Sequence, residues 1–375
     1  MDTTKITTTR EHVLVTGAGG YIGSVLVPVL LAEGHSVIAV DRFFFGPAPA
    51  PAPGLEVVRE DTRFLPRHLF KGVTRVIDLA AVSNDPTGAH YPDSTWAINH
   101  RARLRTARLA REAGVDHYML PSSCSVYGFN PSCVDESSVP APQTDYARAN
   151  LAAERDILPL ADTDFHVTVL RLATVFGLSP RMRFDLAINA MSRDGWKQQT
   201  VRLMRDGSQR RPFIHVRDVT EAFARMLAMP SSVLNKHIIN VGSEALNIAL
   251  RDVAMTVSQQ LSRTCGTTVS TAFYGSADSR SYEVRFDRLR QLLGWLPGTS
   301  VATGIEEIVD ALENGRTSDG PETIRLDWYR HIEQSAAQNT DLVMHGSLLR
   351  HPDDARPAAG QETPDTVSVL AGALR

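Results

Sequence analysis

Cysteine is scarce in this sequence, and long apolar runs are absent from it. Three cysteines occur in 375 residues, at positions 124, 133 and 265, with neither a CxxC spacing nor a histidine cluster beside them. We therefore expect no disulfide framework and no metal site. No run approaches the roughly 20 apolar residues that span a bilayer, and the first eleven residues are polar and Thr-rich, unlike a secretory signal. We expect a cytoplasmic protein without membrane contact.

An excess of either charge is also missing. The chain carries 39 Lys and Arg against 42 Asp and Glu, a formal net charge of -3 at pH 7. Since binding to a polyanion needs a concentrated basic face, no nucleic-acid surface is expected. The hydrophobic content of 43% is typical of a globular protein long enough for more than one domain. We expect its partners to be small molecules or further copies of the chain.

Short apolar runs recur at helix-sized intervals in the first half of the chain. Such spacing is typical of repeated βαβ units, whose parallel strands are buried on both faces. The sequence therefore predicts an α/β fold with a doubly wound parallel sheet, a Rossmann-type domain. The predicted strands are Val13–Val15, Val37–Val40, Leu55–Val58, Val76–Leu79, Tyr118–Leu120 and Val167–Leu170.

The strict alternation of strands and helices loosens after Gly177, which indicates a second domain. The Pro-rich stretch 46–54 predicts a surface loop, because proline neither continues a helix nor donates to a sheet. Residues 346–375 predict a mobile tail. The predicted boundaries are a Rossmann-type domain over 11–177, completed by 213–242, and a smaller, mixed α/β domain for the substrate over 178–212 and 243–340.

A glycine-rich turn follows the first predicted strand and precedes an apolar helical stretch. Gly17, Gly20 and Gly23 lie in the segment GAGGYIG. Glycine lets the backbone approach a pyrophosphate, whose charge is favoured by the N-terminus of the next helix. The strand before and the helix after make the pattern specific for a dinucleotide. Tyr21 and Ile22 complete the predicted cofactor contacts of this turn.

Asp41 ends the second predicted strand. A carboxylate there can accept hydrogen bonds from the adenosine ribose and repel a 2′-phosphate, which favours NAD over NADP. Arg42 is an opposing signal, because a guanidinium at this place could bind that phosphate. Asp61 and Thr62 follow the third strand, at the position of either an adenine contact or a solvated turn.

Further motifs make the chain resemble the NAD-dependent epimerase/dehydratase family of nucleotide-sugar enzymes, which are extended short-chain dehydrogenases. The likeness runs from about residue 13 to about residue 312. It implies NAD as the cofactor and a nucleotide-activated sugar as the substrate. The motifs that carry it, besides the glycine turn, are Leu79-Ala80-Ala81, Pro121 to Gly128, Tyr146 with its helix, Leu170 to Gly177 and Arg211 to Val216.

The resemblance implies a catalytic Tyr and Ser. In this family a Tyr is the acid and base for a sugar oxygen, a Ser or Thr hydrogen-bonds that oxygen, and a Lys four residues after the Tyr lowers its pKa and holds the nicotinamide ribose. Tyr146 and Ser123 match the first two, but position 150 is Asn. Asn150 shares a helix face with Tyr146, so we expect it to take the place of that Lys in the catalytic set and to reach a ribose hydroxyl of the cofactor, although it brings no positive charge. We therefore expect the pKa of Tyr146 to lie nearer the ordinary value of about 10, which impairs alcohol oxidation more than proton donation to a ketone.

The resemblance also implies further cofactor and substrate contacts. Arg211 and Arg280 are similar to the arginines that clamp the substrate diphosphate in this family, and guanidinium forks suit phosphate oxygens. Additional cofactor contacts are expected at Leu79, Ala80, Ala81, Asn99 and Ser122. Substrate contacts are expected at Ser83, Asn84, Ser125, Thr174, Arg183, Arg211 and Arg280.

The two residues after Ser123 narrow the reaction. Dehydratases of this family carry Asp-Glu there, and the related decarboxylases carry Glu at the second place, whereas this chain has Cys124 and Ser125. We therefore expect an epimerase or a 4-ketoreductase that transfers hydride at a sugar carbon. Two alternatives remain open: a non-redox lyase or isomerase that uses the same cleft for a natural-product substrate, and a catalytically silent protein that binds NAD and a nucleotide sugar.

Two predicted helices, over residues 94–113 and 146–158, resemble those that pair into a four-helix interface in dimers of this family. Closed two-fold dimers are also the commonest soluble oligomers. We therefore expect a homodimer.

Overall fold

The computed structural model describes residues 10–204, 206–266, 268–274, 281–335, 338 and 340–354. Within these ranges the strands are β1 His12–Thr16, β2 Ser36–Asp41, β3 Leu55–Arg59, β4 Arg75–Asp78, β5 His117–Ser123, β6 Cys133–Val134, β7 His166–Leu172, β8 Thr174–Phe176, β9 Thr200–Met204, β10 Arg210–His215, β11 Ile238–Val241, β12 Asn247–Ala249, β13 Ser270–Tyr274 and β14 Glu283–Val284.

The α-helices in the same ranges are α1 Gly23–Ala32, α2 Asp85–His90, α3 Pro92–Trp96, α4 Arg103–Glu112, α5 Asp145–Ile157, α6 Ala187–Gln198, α7 Val216–Leu227, α8 Ser231–Leu234, α9 Leu250–Cys265, α10 Asp287–Leu293, α11 Val301–Glu313 and α12 Arg325–Gln334. A π-helical stretch, Ala97–Ala102, joins α3 to α4. None of the described helices is long and apolar enough to cross a membrane.

The central sheet has the strand order β11-β7-β5-β4-β1-β2-β3, and every neighbouring pair is parallel. Val13 and Val15 pack on one face, with α1 and α7, while Leu14 packs on the other, with α4 and α5. All three side chains are fully buried. The predicted doubly wound α/β fold is confirmed, and each of the six predicted strands lies in this sheet.

The strand order places the site. The chain leaves β1 toward β2 on one side and returns to β4 on the other. The loops after β1 and β4 therefore diverge at the carboxyl edge of the sheet, which is where open α/β sheets bind ligands.

A second core lies beside this edge. It is built on the sheet β12-β10-β8, the pair β13-β9 and helices α6, α9 and α11. The sequence predicts that residues 213–242 complete the first domain, and within that stretch β11 joins the central sheet and α7 packs on its face. Strand β10 pairs with β8 and β12 instead, because Phe213 packs in the second core.

The C-terminal segment, by which we mean α12 and the described residues up to 354, packs back onto the first domain. Leu348 and Leu349 are buried in a cluster with Phe44 and Tyr329. The prediction of a mobile tail is therefore wrong for residues 346–354, because their apolar side chains find this cluster. Residues 355–375 lie outside the described residues.

Candidate active site

One cavity of about 1080 Å³ lies along the carboxyl edge of the central sheet and extends to the second core. The predicted site residues that line it are Gly17, Gly20, Tyr21, Ile22, Gly23, Asp41, Arg42, Asp61, Thr62, Leu79, Ala80, Ala81, Ser83, Asn84, Ser122, Ser123, Ser125, Tyr146, Thr174, Arg183 and Arg211. Asn99 and Asn150 are described but do not line it, and Arg280 lies outside the described residues.

The turn between β1 and α1 leaves no room for a side chain at Gly17 or Gly23. Gly17 has φ +66°, and a Cβ atom there would lie 2.7 Å from the backbone nitrogen of Ala80. A Cβ atom at Gly23 would lie 2.3 Å from the carbonyl oxygen of Gly17. The bare backbone therefore forms a cradle in front of the N-terminus of α1, which fits an anionic diphosphate.

Asp41 lies beside this turn, at the end of β2. Its Oδ2 accepts a hydrogen bond from the Gly19 N–H at 3.0 Å, and its Oδ1 accepts one from the Phe43 N–H at 2.7 Å. Burial raises the pKa of Asp41, and these hydrogen bonds oppose that rise. Since a carboxylate oxygen has two lone pairs, each still has one for a ribose hydroxyl.

Both Nη atoms of Arg42 are already engaged. Nη1 donates to Asp61 Oδ2 at 2.9 Å, and Nη2 donates to the carbonyl oxygens of Leu342 at 2.7 Å and Ser347 at 2.8 Å. The guanidinium thus binds the C-terminal segment. This weakens the sequence signal that favoured NADP.

Asp61 belongs to a buried charge network at the same end of the cavity. Besides the bond from Arg42, its carboxylate accepts one from Arg63 Nη2 at 2.6 Å. Arg63 continues to Asp354 Oδ2 at 2.8 Å. This network, next to Thr62, fastens the C-terminal segment where the sequence predicted an adenine contact or a solvated turn.

Tyr146 lies in the first turn of α5, whose N-terminus is capped by the Thr144 hydroxyl accepting from the Ala147 N–H at 3.2 Å. Tyr146 and Ser123, which ends β5, both line the cavity. Burial raises the pKa of Tyr146 above 10.0, and the guanidinium of Arg103 opposes that rise. The two predicted catalytic groups therefore meet in the cavity, with the phenol protonated at neutral pH.

Asn150 lies one turn after Tyr146 and is 1% exposed. Its Nδ2 donates to the Tyr146 carbonyl at 2.9 Å, and its Oδ1 accepts from Arg103 Nη1 at 2.8 Å. Arg103 lines the cavity. Sequence reasoning gave Arg103 no role, although it follows Asn99 by four residues and so lies on the same helix face.

The two residues after Ser123 face different ways. The Cys124 thiol donates to the Arg171 carbonyl at 3.2 Å, and burial raises its pKa. Ser125 lines the cavity, and its buried hydroxyl has no hydrogen-bond partner among the described residues. Ser125 thus offers a polar group to a ligand, and neither residue brings a carboxylate.

Two predicted cofactor contacts have side chains that serve the protein instead. The Ser122 hydroxyl donates to the Glu154 carboxylate. Asn99 holds the loop after β4, because its Oδ1 accepts from the Val82 N–H at 2.8 Å and its Nδ2 donates to the Val82 carbonyl at 2.9 Å. Both amide groups of Asn99 are thus engaged within the protein, and a cofactor contact of Asn99 stays a prediction.

A polar tether crosses the cavity near Tyr146. Arg183 Nη1 donates to the Ser83 hydroxyl at 3.0 Å, and Arg183 pairs with Asp185 at 2.9 Å. Asn84, in a left-handed conformation with φ +100°, donates from Nδ2 to Asp185 Oδ2 at 2.6 Å. The loop after β4 is thus tied to the chain before α6, and the two together form a fixed polar wall.

Where the cavity meets the second core, the guanidinium of Arg211 packs on the ring of Tyr282. Arg211, on β10, lies with its guanidinium carbon 5.5 Å from the centroid of the Tyr282 ring. Both residues line the cavity, as does Thr174 at the start of β8. His215, on the same strand as Arg211, is fully buried, and burial lowers its pKa to about 4, as suits a core histidine.

The C-terminal segment adds residues that sequence reasoning missed. Arg325 and Tyr329 on α12 line the cavity, and Arg325 stacks 4.7 Å above the centroid of the Phe45 ring. Trp328 donates from its indole N–H to the Phe44 carbonyl at 2.6 Å. No local signal could have placed them here, since α12 reaches the cavity only through the fold.

Comparisons with known proteins agree with this arrangement. The sequence model of the NAD dependent epimerase/dehydratase family matches residues 13–242. A UDP-glucose 4-epimerase of Mycolicibacterium smegmatis is 26% identical over 322 residues, which is 80% of this chain and 98% of that protein. An uncharacterized UDP-glucose epimerase of Bacillus subtilis, YtcB, is 27% identical over 311 residues, 78% of this chain and 95% of that protein. The solved structure of MoeE5 in complex with UDP-glucose and NAD is 30% identical with a TM-score of 0.70, covering 82% of this chain and 100% of its own.

Proposed function

The chain belongs to the NAD-dependent epimerase/dehydratase family, and from this premise we propose that it is an NAD-dependent epimerase of a UDP-activated sugar, acting by hydride transfer at a sugar carbon. One observation carries the proposal. Tyr146 and Ser123 line one cavity together with the glycine cradle and Arg211. MoeE5, at 30% identity, is described in complex with UDP-glucose and with UDP-glucuronic acid, each together with NAD.

The proposed NAD site uses the cradle at Gly17 and Gly23 for the diphosphate and Asp41 for the adenosine ribose. The carboxylate of Asp41, together with the engaged Nη atoms of Arg42, favours NAD over NADP. Bound NAD supplies the acceptor and donor of hydride. Of the predicted side-chain contacts, Ser122 and Asn99 are used elsewhere in the protein.

In the proposed reaction Tyr146 exchanges a proton with the reacting sugar oxygen, and Ser123 hydrogen-bonds the same oxygen. Ser125 supports a neighbouring sugar hydroxyl, since its own hydroxyl is unpartnered among the described residues. The wall formed by Ser83, Asn84 and Arg183 limits the space for the sugar. The absence of a carboxylate at positions 124 and 125 disfavours dehydration and decarboxylation.

A 4-ketoreductase is the second candidate, favoured by one observation. Burial raises the pKa of Tyr146, so the phenol is held in the form that donates a proton to a ketone. The two candidates differ in cofactor use, because an epimerase returns the hydride to the sugar whereas a reductase consumes one NADH for each turnover.

The test is incubation of the purified protein with UDP-glucose, UDP-N-acetylglucosamine and UDP-glucuronate, with NMR detection of the epimer. We expect one substrate to equilibrate with its epimer without net change in absorbance at 340 nm, and the Tyr146→Phe variant to lose this activity. Stoichiometric oxidation of added NADH by a ketosugar would favour the reductase. Binding of NAD and substrate without any product would leave a binding protein.

The proposed dimer rests on the likeness of α4 and α5, with the stretch before α4, to paired family helices. Light scattering after size exclusion should give twice the 41.1 kDa of one chain. A mass of one chain at micromolar concentration would contradict it.

A further inference from the structure

Arg103 is a buried cation at the catalytic end of the cavity. Arg103 is the first residue of α4, is 3% exposed and lines the cavity. Nη1 donates to Asn150 Oδ1 at 2.8 Å, and Nε donates to the Ala80 carbonyl at 3.2 Å. The guanidinium is therefore fixed between the loop after β4 and α5, the helix that carries Tyr146.

Asn150 is suited to holding that guanidinium. Its Nδ2 donates to the Tyr146 carbonyl at 2.9 Å, which orients Oδ1 toward Arg103. A lysine at position 150 would bring a second positive charge against a buried guanidinium, and like charges at that range repel strongly. Arg103 and Asn150 are thus compatible with each other, whereas Arg103 beside a lysine at that position is not.

We propose that Arg103 supplies from the neighbouring helix the positive charge that the lysine of a Tyr-x-x-x-Lys site supplies from the same helix, with Asn150 as the positioning residue that holds it. This deepens the proposed function and rests on it only in taking Tyr146 as the acid and base.

The other groups around Tyr146 define what the charge must oppose. Burial is the main influence that raises its pKa, and Asp85 on α2 raises it further. Arg103 is the first of the groups that lower the pKa, followed by the Ser123 side chain, and Arg183, before α6, also lowers it. Removal of the Arg103 charge should therefore raise the pKa of Tyr146 more than removal of the Arg183 charge.

The test needs neither substrate nor cofactor. The protein is labelled with 13Cζ-tyrosine, the Tyr146 resonance is assigned by its loss in Tyr146→Phe, and it is followed against pH. Arg103→Met should raise the pKa by about one unit or more, a tenfold loss of phenolate at a given pH. Arg103→Lys, the matched control, keeps a charge and should shift the pKa much less.

Moving the charge is the decisive arm. The double variant Arg103→Met/Asn150→Lys should return the Tyr146 pKa toward its original value, and in turnover assays its pH profile should return with it. The proposal is overturned if Arg103→Met leaves the titration unchanged, or if the double variant stays as shifted as Arg103→Met. If Arg103→Met loses its native circular dichroism, Asn150→Leu replaces it as the test variant, because it removes the hydrogen bond that positions the Arg103 guanidinium. An unchanged Tyr146 titration in Asn150→Leu also overturns the proposal. Because the titration is measured without ligand, it tests this proposal even if the protein shows no epimerase activity.

Arg325 carries a second, independent inference. It is 8% exposed and lines the cavity, and its Nε has no hydrogen-bond partner among the described residues. Its Nη1 lies 3.5 Å from the Ala81 carbonyl, and a small neighbouring pocket is lined by both Arg325 and Gly20. Burial lowers the pKa of Arg325, so a buried cation here gains from an anion.

We infer that Arg325 is the counter-ion of the cofactor diphosphate, brought by a helix that lies beyond the family match at residues 13–242. Its position next to the Gly20 turn assigns it to the NAD diphosphate rather than to that of the sugar nucleotide. The networks of Arg42 and of Arg63 with Asp354 fasten the chain that follows this helix to the first domain.

Calorimetry separates the two diphosphates. Arg325→Met should weaken NAD binding about tenfold or more, as expected for loss of a charge-assisted contact, and leave binding of UDP and of adenosine unchanged. Arg330→Met, an exposed arginine of the same helix paired with Asp327 at 4.0 Å, is the control and should bind NAD normally. Equal NAD affinity in Arg325→Met and the control would overturn the inference, and a loss confined to UDP would overturn the assignment to NAD.

Discussion

Glu154→Gln tests the buried ion pair between Glu154 and Arg171, which contacts β5, the strand that ends in Ser123. Glu154 and Arg171 approach to 2.7 Å with each side chain 3% exposed, and the Glu154 carboxylate also accepts from Ser122. Glutamine keeps the shape and removes the charge, which leaves the Arg171 guanidinium buried without its counter-ion. Breaking such a pair from one side costs about 3–5 kcal/mol.

Urea unfolding followed by circular dichroism measures this cost. The control is Glu221→Gln, whose partner Arg225 lies four residues on along α7, with both side chains more than 40% exposed; it should cost about 0.3–0.5 kcal/mol. Adding Arg171→Met to Glu154→Gln removes both charges and should recover a good part of the loss, since the two effects are coupled. If Glu154→Gln costs no more than the control, the reasoning about this pair is wrong.

Four further outcomes are expected. Tyr146→Phe should lower turnover by at least about 10²-fold and leave the NAD affinity within threefold by calorimetry; unchanged turnover would exclude the acid and base role. Gly17→Ala should abolish NAD binding and lower the unfolding free energy by about 1–2 kcal/mol, because its Cβ would meet Ala80 at 2.7 Å with φ +66°; normal NAD binding would contradict the cradle. Asp41→Asn should bind NAD more weakly and NADP more tightly than the parent, and an unaltered ratio of the two dissociation constants would remove Asp41 from the selectivity. Burial lowers the pKa of His117 to about 3, so below pH 6.5 the unfolded chain binds a proton that the folded chain does not bind. The free energy of unfolding should therefore fall with acidification by up to about 1.4 kcal/mol per pH unit between pH 6.5 and 3. His117→Gln should flatten this slope in urea titrations, and an identical slope would contradict the role of His117.

Local signals explain why much of the fold could be predicted from sequence. The turn of Gly17, Gly20 and Gly23 is specified by residues adjacent in the chain, and the buried strands by runs such as Val13–Val15. Both kinds of pattern report on backbone geometry and burial at the place where they occur. Tyr146 and Ser123 were found in the same way, through motifs that surround each of them.

Contacts between distant segments explain what was missed. The partner of Asn150 is Arg103, 47 residues earlier, and only the packing of α4 against α5 reveals it. The composition of the last residues predicted mobility, yet Asp354 pairs with Arg63, 291 residues earlier. The residues around Asp354 do not indicate such a partner, because Arg63 comes close to it only when the chain is folded.

Trp328 makes the C-terminal segment observable by fluorescence. Its indole N–H is bonded to the Phe44 carbonyl, and its ring stacks on His331 with centroids 5.1 Å apart. Separation of α12 from the first domain would expose this indole to water, shifting its emission to longer wavelength and opening it to collisional quenchers. In a variant whose other three tryptophans are replaced by phenylalanine, the emission of Trp328 would therefore report whether α12 stays packed on the first domain when NAD is added.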